Sequence, residues 1–279
     1  MELRPSDTAL VTGASRGMGV LIARALAERG VNLALLARSA DALEDVARTL
    51  RDETGVRVST FAADLADTAA LPEVWARVEA EVGSVDILVN NAGLEGAQHF
   101  PEASVEDLAR MVAVNLTAPM ILTRLVVPGM IERGRGHVVN IASIAGLLPS
   151  AYEEPYNASK FGLVGFTRSL RLSAEDDGWG VGASAVCPGF MADTGMYDDM
   201  TREFGVRASR LMPQSPAAAI GPAVISAIER NRAEVIVMKG APRAVVALAA
   251  ATPRTFERIS ARFDLAGVFR SVARARRIG

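Results

Sequence analysis

The sequence predicts an α/β protein built on one doubly wound parallel sheet of about seven strands, and three observations lead to this fold class. Short apolar runs alternate with longer amphipathic segments between residues 8 and 238. The apolar runs are hydrophobic throughout, as expected for parallel strands that helices cover on both faces. A glycine-rich turn follows the first apolar run and opens the first helix, which brings backbone amides to a helix N-terminus.

The predicted elements follow one another in βαβα order. Strands are predicted at Thr8–Thr12, Val31–Ala37, Val56–Ala62, Ile87–Asn90, His137–Ile141, Gly182–Val186 and Val235–Met238. Helices are predicted at Gly17–Arg29, Ala40–Asp52, Leu71–Glu81, Val105–Glu132, Tyr156–Glu175 and Pro216–Asn231. This alternation is typical of a parallel sheet, because each return to the sheet needs a crossover connection. We expect one domain over residues 1–240 and a basic, helical C-terminal extension over residues 241–279.

The composition fits one large α/β domain. Half of the 279 residues are hydrophobic, 22% are charged and the net charge is −2, so the chain can bury a substantial core. Charges of both signs are mixed along the chain, and no basic stripe carries aromatic residues. Nucleic acid is therefore not an expected partner.

The sequence gives no indication of a disulfide, a metal site, a signal sequence or a membrane span. Cys187 is the only cysteine, which excludes an internal disulfide. His99 and His137 do not have ligand-like spacing, so we expect no metal. The N-terminal residues lead into a strand without a signal-type apolar region, and no apolar run reaches the ~18 residues of a membrane span. We expect a cytoplasmic protein without an integral membrane segment.

The pattern most informative about chemistry is Tyr156 with Lys160 and Ser143. Tyr156 and Lys160 are four residues apart on a predicted helix, which places them on one face, about 5–6 Å apart at Cβ. A phenol titrates near ~10, and a neighbouring ammonium lowers that pKa toward the range of a general acid or base. Ser143 adds a hydroxyl that can hold a carbonyl oxygen. Together these side chains predict proton transfer at an oxygen atom.

A second pattern predicts a dinucleotide site. The turn after the first strand has the spacing G-x-x-x-G-x-G, and we expect it to contact the cofactor through Gly13, Ser15, Arg16, Gly17, Met18 and Gly19. No acidic residue, of the kind that selects NAD, lies between Val31 and Ala40. Arg38 stands there instead, followed by Ser39, and together with Arg16 it can grip a 2′-phosphate. The sequence therefore predicts NADP(H), the alternative being that Arg38 is a solvated loop residue.

These motifs, in this order, resemble the classical short-chain dehydrogenase/reductase family of the NADP-preferring type. The resemblance runs from about Thr8 to Met238. It includes the glycine turn, Asp64-Leu65, Asn90-Asn91-Ala92-Gly93, Asn115, Ser143, Tyr156 with Lys160, and Pro188-Gly189. It implies a single Rossmann-type domain and an oxidoreductase that acts on CH–OH and C=O groups.

The resemblance also implies a role for each matching residue. Tyr156 would donate or accept the substrate proton, while Lys160 would lower the pKa of that phenol and hold the nicotinamide ribose. Ser143 would orient the carbonyl, and Asn115 would support a proton-relay water. The other implied cofactor contacts are Asp64, Leu65, Asn91, Ala92, Gly93, Pro188, Gly189 and Thr194. Thr194 lies one residue beyond the position, held here by Asp193, where the family often has a threonine.

For the substrate we expect a small apolar ketone or secondary alcohol. Residues 190–212 are predicted to form a lid that offers Phe190, Met191, Met196, Tyr197, Met200 and Phe204, opposite a wall made of Leu147, Leu148 and Pro149. A 3-oxoacyl thioester of acyl carrier protein or CoA is the alternative substrate, although the mixed charge of the lid counts against an acidic carrier protein. A dinucleotide-sensing regulator is the non-enzymatic alternative, which the complete catalytic set disfavours.

The extension over residues 241–279 carries eight arginines, and Phe256, Ile259 and Phe263 fall on one helical face. We expect it to pack on its own domain or on a neighbouring subunit, close to the substrate entrance or to a second interface. Peripheral contact with an anionic membrane is the alternative. The family resemblance implies a homodimer or homotetramer that pairs the helices at residues 105–132 and 156–175.

Overall fold

Seven parallel strands form a single sheet in the part of the chain that the computed structural model describes, which is residues 1–191, 202–205 and 215–278. The strand order is β3-β2-β1-β4-β5-β6-β7, and each neighbouring pair is parallel. The strands are β1 (Thr8–Thr12), β2 (Asn32–Ala37), β3 (Val58–Ala62), β4 (Ile87–Asn90), β5 (Gly136–Ile141), β6 (Val181–Pro188) and β7 (Glu234–Val237). The predicted doubly wound, Rossmann-type sheet is confirmed.

Helices cover both faces of this sheet. In chain order they are α1 (Met18–Ala27), α2 (Ala40–Thr54), α3 (Leu71–Val82), α4 (Val105–Val112), α5 (Ala118–Glu132), α6 (Glu154–Asp176), α7 (Ile220–Glu229), α8 (Pro242–Ala251), α9 (Pro253–Arg262) and α10 (Gly267–Ile278). Successive side chains of a strand point to opposite faces. Accordingly, Val11 of β1 packs in the cluster that includes α1, α2 and α7, and Leu10 packs in the cluster that includes α3 and α5. The strands are therefore buried on both sides, which explains their continuous hydrophobicity.

The helix predicted over residues 105–132 is interrupted. A π-helical segment, Ala113–Thr117, separates α4 from α5. Such π-helical insertions frequently mark functional positions, and Asn115 in its middle is fully buried. The interruption turns this side chain toward the loop after β4, where its Oδ1 accepts a hydrogen bond from the Leu94 amide at 2.7 Å.

The same stretch, Val105–Glu132, differs from the sequence-based expectation about membrane spans. Among the described residues it is the one helix long and apolar enough to cross a membrane. Half of its most apolar part is buried inside the protein. Leu122, Val126 and Met130 pack against the sheet, so its apolar character is that of a core helix.

A buried ion pair ties the N-terminal segment to the start of β5. Arg135 donates from Nη1 to Asp7 Oδ1 at 2.7 Å and from Nη2 to Asp7 Oδ2 at 3.0 Å, and Asp7 is 2% exposed. Loss of one partner leaves a buried charge poorly compensated, so we expect Arg135→Ala to lower the free energy of unfolding by about 3 kcal/mol. Urea unfolding followed by circular dichroism measures this.

The matched control is Arg48→Ala, which removes an exposed arginine paired with Asp45 at 2.8 Å. Exposed pairs contribute little, so we expect a loss of less than about 0.5 kcal/mol. Equal losses for the two variants would show that burial of Asp7 adds nothing to the interaction.

Candidate active site

The ends of β1 and β4 are joined by hydrogen bonds, which we call the β1–β4 junction. Thr12 Oγ1 accepts from the backbone amides of Asn91 and Ala92, each at 3.0 Å. Asn91 Nδ2 donates to the carbonyl oxygens of Thr12, at 2.9 Å, and Gly13, at 3.2 Å. The order of strands reverses between β1 and β4. This junction therefore lies at the topological switch point, where open α/β sheets bind ligands.

The glycine turn packs so tightly on this junction that side chains cannot be accommodated. Gly13 has φ +66°, and a Cβ there would lie 2.8 Å from Ala92 Cα. A Cβ on Gly19 would lie 2.2 Å from the Gly13 carbonyl oxygen. Gly17, with φ 60°, is the N-cap of α1, and no side chain of the described residues caps that helix. Its first amides can therefore serve an anion such as a pyrophosphate, which fits the predicted cofactor.

Positive charge surrounds the neighbouring edge of the sheet. Arg38 is exposed directly after β2, and the Gly13 amide donates to the Leu36 carbonyl at 2.7 Å, which places the glycine turn beside this strand end. Asp64 accepts from the Ala66 amide at 2.9 Å and from Arg110 Nη2 at 2.9 Å. The hydrogen bond from the Ala66 amide, together with Arg110 and Arg38, lowers the pKa of Asp64. The edge thus holds a carboxylate flanked by two guanidiniums.

Arg110 was missed by the sequence analysis, because it lies on α4, 46 residues away from its partner Asp64. Ser39, a predicted cofactor contact, accepts from the Ala42 amide at 3.4 Å as the N-cap of α2. Leu65 is buried among the side chains of the sheet core. Ser15 and Arg16 lie in the glycine turn, where Arg16 is exposed.

The predicted catalytic side chains come together between β5 and α6. Tyr156 and Lys160 both lie on α6 and are buried, with Lys160 Nζ 5.8 Å from the centroid of the phenol ring. Lys160 Nζ also donates to the Ile141 carbonyl oxygen at 3.0 Å, which anchors it to the end of β5. Ser143 follows β5, accepts from the Ala145 amide at 3.1 Å and is hydrogen-bonded to Tyr156. The structure thus brings Ser143, Tyr156 and Lys160 into one site.

Burial reverses the electrostatic effect that the sequence predicts. Removal from water raises the pKa of Tyr156, and the charge of Glu95 raises it further, while the hydrogen bond from Ser143 opposes both. Burial also lowers the pKa of Lys160 to about 8. In the protein by itself, the net shift of the Tyr156 pKa is therefore upward rather than downward as expected, because desolvation of the phenolate dominates.

Asn115 connects the loop after β4 to α6. Its Nδ2 donates to the Leu94 carbonyl oxygen at 2.8 Å and to Ser159 Oγ at 3.1 Å. Ser159 precedes Lys160 on α6. Asn115 therefore holds the Leu94 backbone in place relative to the helix that carries Tyr156 and Lys160, and its predicted part in a proton relay stays a prediction.

A cavity of about 380 Å³ opens in front of the catalytic side chains. Of the residues expected around cofactor and substrate, its lining includes Met18, Asn91, Ser143, Leu148, Pro149, Tyr156, Lys160, Pro188, Gly189, Phe190 and Met191. Leu147 lies elsewhere, packed on the cluster that contains Leu163 and Val164. Phe204 packs on Phe269 and its neighbours. Asp193, Thr194, Met196, Tyr197 and Met200, the remaining predicted lid and cofactor residues, are outside the described part of the chain.

The C-terminal extension forms one wall of this cavity. Its contribution comes from α8, α9, α10 and the turn before α10, through Pro242, Val245, Phe256, Ser260, Leu265, Ala266 and Phe269. The Phe269 ring lies 5.6 Å from the ring of Phe190, centroid to centroid. Arg276 Nη1 donates to the Ala97 carbonyl oxygen at 3.1 Å, which fastens α10 to the loop after β4. Of the expected positions for the extension, the structure places it at the substrate cavity.

The sequence analysis missed two acidic residues that line the cavity, Glu95 and Glu153. Glu153 is 3% exposed and its Oε2 accepts from Ser150 Oγ at 2.6 Å. Burial raises the pKa of Glu153 to about 8, and the charge of Glu95 contributes to this rise. Glu153 therefore carries a proton at neutral pH. The sequence gives little signal for this, because an acidic residue before a helix normally lies in solvent.

The sequence model of the short chain dehydrogenase family matches residues 7–204. The chain is 39% identical over 237 residues to "Ketoacyl reductase HetN" of Nostoc sp. (strain PCC 7120), an alignment that covers 85% of this chain and 80% of the relative. The chain belongs to the short-chain dehydrogenase family, which confirms the predicted class.

Solved structures agree with this assignment. A variant of actinorhodin polyketide ketoreductase, crystallised with NADPH, superposes with a TM-score of 0.76 at 31% identity, over 85% of this chain and 97% of the ketoreductase. A short-chain dehydrogenase from Sphingobium yanoikuyae, in complex with NADPH, gives a TM-score of 0.75 at 30% identity, over 90% and 95% of the two chains. The similarity therefore extends over the whole catalytic region.

The raised pKa of Glu153 predicts a pH-dependent cost of folding. Between pH 4.5 and about 8 the folded protein keeps a proton on Glu153 that the unfolded chain releases. The contribution of Glu153 to wild-type stability therefore falls as pH rises, by up to about 1.4 kcal/mol per pH unit. A glutamine does not ionise and can still accept from Ser150. We expect the thermal stability of Glu153→Gln, relative to wild type, to increase steadily from pH 5 to pH 8.

Differential scanning fluorimetry across this range measures the effect. The control is Glu154→Gln, which changes the exposed neighbouring glutamate and should shift the melting temperature by a similar amount at each pH. Parallel curves for wild type and Glu153→Gln would contradict protonation of Glu153 in the folded protein.

Proposed function

We propose that this chain is an NADP(H)-dependent oxidoreductase that interconverts an apolar ketone and a secondary alcohol. The observation that carries the proposal is the shared cavity: hydrogen-bonded Ser143 and Tyr156 line it, and most of the other lining side chains are apolar. A ketone that enters this cavity can bury its apolar substituents and direct its oxygen toward the two hydroxyls.

The proton chemistry follows from the positions of these groups. Ser143 and Tyr156 offer two hydroxyl donors to one carbonyl oxygen, and Tyr156 donates its proton to that oxygen as the alcohol forms. Lys160 lies 5.8 Å from the phenol centroid, close enough for its ammonium to stabilise the phenolate that remains. NADPH, when bound, supplies the hydride for reduction, and NADP⁺ accepts it in the reverse direction.

Residues of the β1–β4 junction and of the neighbouring sheet edge would hold the cofactor. The uncapped N-terminus of α1 suits the pyrophosphate, and Arg38, with Arg16 and Arg110 from the same side of the sheet, suits the 2′-phosphate. Asn91, Ala92 and Gly93 would line the cofactor. Pro188 and Gly189 would flank the nicotinamide, Lys160 would hold its ribose, and Thr194 is a further predicted contact. The NADPH complexes of two proteins that are 31% and 30% identical support this preference.

A second candidate function is reduction of a 3-oxoacyl thioester of acyl carrier protein or CoA. The name of the Nostoc relative, a ketoacyl reductase, favours it. NADPH oxidation with a panel of apolar ketones and with 3-oxoacyl-CoA discriminates the two functions by kcat/KM. Tight NADPH binding without turnover on any of these substrates would instead favour the dinucleotide-sensing regulator.

We expect Tyr156→Phe to fold, to bind NADPH and to lose turnover by about 10²–10⁴-fold, because the substitution removes only the hydroxyl that donates the proton. Steady-state NADPH oxidation with an apolar ketone measures the loss. Tyr152→Phe is the control: it also deletes one phenol hydroxyl, but that tyrosine contacts His99 and Arg270 outside the cavity lining. A rate above a tenth of wild type for Tyr156→Phe would remove Tyr156 from the catalytic role.

The cofactor preference is tested at Arg38. We expect wild type to favour NADPH over NADH, and Arg38→Asp to erase or reverse that preference, because a carboxylate repels a 2′-phosphate and accepts a hydrogen bond from a 2′-hydroxyl. The ratio of kcat/KM values for the two cofactors measures the change. Arg48→Asp makes the same charge change on the exposed side of α2 and should leave the ratio unaltered. Equal kcat/KM values in the wild type would contradict the NADP assignment.

We also propose that the protein is a cytoplasmic homodimer or homotetramer, with residues 1–240 as its catalytic domain and residues 241–279 as an appended extension. Large apolar side chains are exposed on α4, α5 and α6, the helices expected to pair: Val105, Val112, Met120, Ile131, Phe161 and Leu172. Such a patch is typical of a subunit interface.

We expect multi-angle light scattering to give at least a dimer for wild type at micromolar concentration, and Phe161→Asp to shift it toward the monomer. Phe161 is 42% exposed on α6, and an unpaired charge in an apolar interface is costly. Phe100→Asp, at an exposed position outside these helices, is the control. A monomeric wild type would refute the helix pairing.

A further inference from the structure

The outer surface of α8 and α9 carries large apolar side chains that the protein does not cover. Val245 and Leu248 of α8 are 51% and 58% exposed, and Ile259 of α9 and Phe263, which follows it, are 41% and 51% exposed. The two helices contact each other. We call their four exposed side chains the apolar ridge.

The same two helices are strongly basic. Residues 242–263 contain Arg243, Arg254, Arg258 and Arg262 against one acidic residue, Glu257, although the whole chain has a net charge of −2. The four arginines are exposed. Arg262 follows Ile259 by three residues, so these two side chains are neighbours on the surface of α9. Apolar contact area and positive charge are therefore presented together.

The apolar ridge borders the mouth of the substrate cavity. Val245 lines the cavity and is also half exposed, so the cavity reaches the surface at this residue. Phe256 and Ser260 of α9 line the cavity, while Ile259 and Phe263 are exposed. The apolar face predicted from Phe256, Ile259 and Phe263 is therefore divided between the cavity and the protein surface. An apolar compound that lies against the ridge thus has a short path to the catalytic side chains.

We propose that α8 and α9 form a docking surface for an anionic lipid bilayer, through which the protein takes up an apolar substrate dissolved in the membrane. The ridge would enter the interface between headgroups and acyl chains, and the arginines beside it would contact lipid phosphates. This extends the proposed function in one respect: it names membrane-dissolved ketones as the substrate class. Docking itself does not depend on that function.

The charge distribution favours a bilayer over a protein partner. In a symmetric contact between two copies of this surface, eight arginines would face one another, which is unfavourable. An acidic carrier protein would match the arginines but would leave four large apolar side chains against a polar surface. A bilayer with anionic headgroups matches both the charge and the apolar area.

The test is flotation of the full-length protein with vesicles of phosphatidylcholine, either pure or containing phosphatidylglycerol. We expect binding to the anionic vesicles that weakens as salt increases. Leu248→Ser/Phe263→Ser, two ridge residues outside the cavity lining, should weaken it at least tenfold. Arg258→Gln/Arg262→Gln should weaken it about 30-fold, since each basic residue near an anionic surface contributes a factor of about 5.

Matched controls separate docking from general effects. Phe100→Ser removes an apolar side chain that is 52% exposed outside the helices expected to pair, and Arg48→Gln/Arg77→Gln removes two exposed arginines of α2 and α3; neither should change vesicle binding. The arginine pair tests docking independently if the ridge variant fails to fold. Kinetics with a water-soluble ketone should be unchanged in the ridge and arginine variants, so loss of docking is distinguishable from loss of catalysis.

Three results would overturn the proposal. One is equal binding of wild type and ridge variants to anionic vesicles. Another is a ridge variant that changes the oligomeric state in light scattering without any vesicle binding by wild type, which would identify the ridge as a subunit contact. The third is binding of acyl carrier protein, lost in the arginine variant, by a protein that does not float with vesicles.

Discussion

The β1–β4 junction is the interaction on which the site depends. Thr12 and Asn91 together satisfy two backbone amides and two backbone carbonyls at the point where the strand order reverses. Buried backbone groups need such partners, since an unpaired one costs about as much as a lost hydrogen bond. One pair of side chains thus holds the glycine turn and the loop after β4 in fixed positions relative to each other. The cofactor side and the substrate side of the site are therefore positioned by the same hydrogen bonds.

Desolvation governs the chemistry that this framework supports. Tyr156, Lys160 and Glu153 are buried within the same region, and burial shifts the pKa of each in the direction that favours its neutral form. A low-dielectric setting also strengthens the interactions among these groups, so a phenolate that forms beside Lys160 gains more than it would in water. At neutral pH, Tyr156 and Glu153 are therefore uncharged, whereas Lys160, with a pKa of about 8, keeps most of its positive charge and can stabilise a phenolate as it forms.

The C-terminal extension links the catalytic region to the protein surface. Its inner side chains, such as Phe256 and Phe269, face the cavity, whereas Leu248 and Phe263 face outward. The extension thus takes part in shaping the substrate space as well as in presenting a basic, apolar surface. Aromatic contact between Phe190 and Phe269 joins this extension to the segment that follows β6.

The sheet, the glycine turn and the predicted catalytic side chains could all be read from the sequence, because each depends on local spacing. β1 and β4 begin and end at the predicted residues, and four-residue spacing on a helix places Lys160 beside Tyr156 wherever that helix lies. Three further features are visible only in the folded protein: the break between α4 and α5, the direction of the Tyr156 pKa shift, and the wall that Phe269 adds to the cavity. These depend on burial and on contacts between residues far apart in the chain, such as Asp64 with Arg110, and local sequence patterns contain no information about such neighbours.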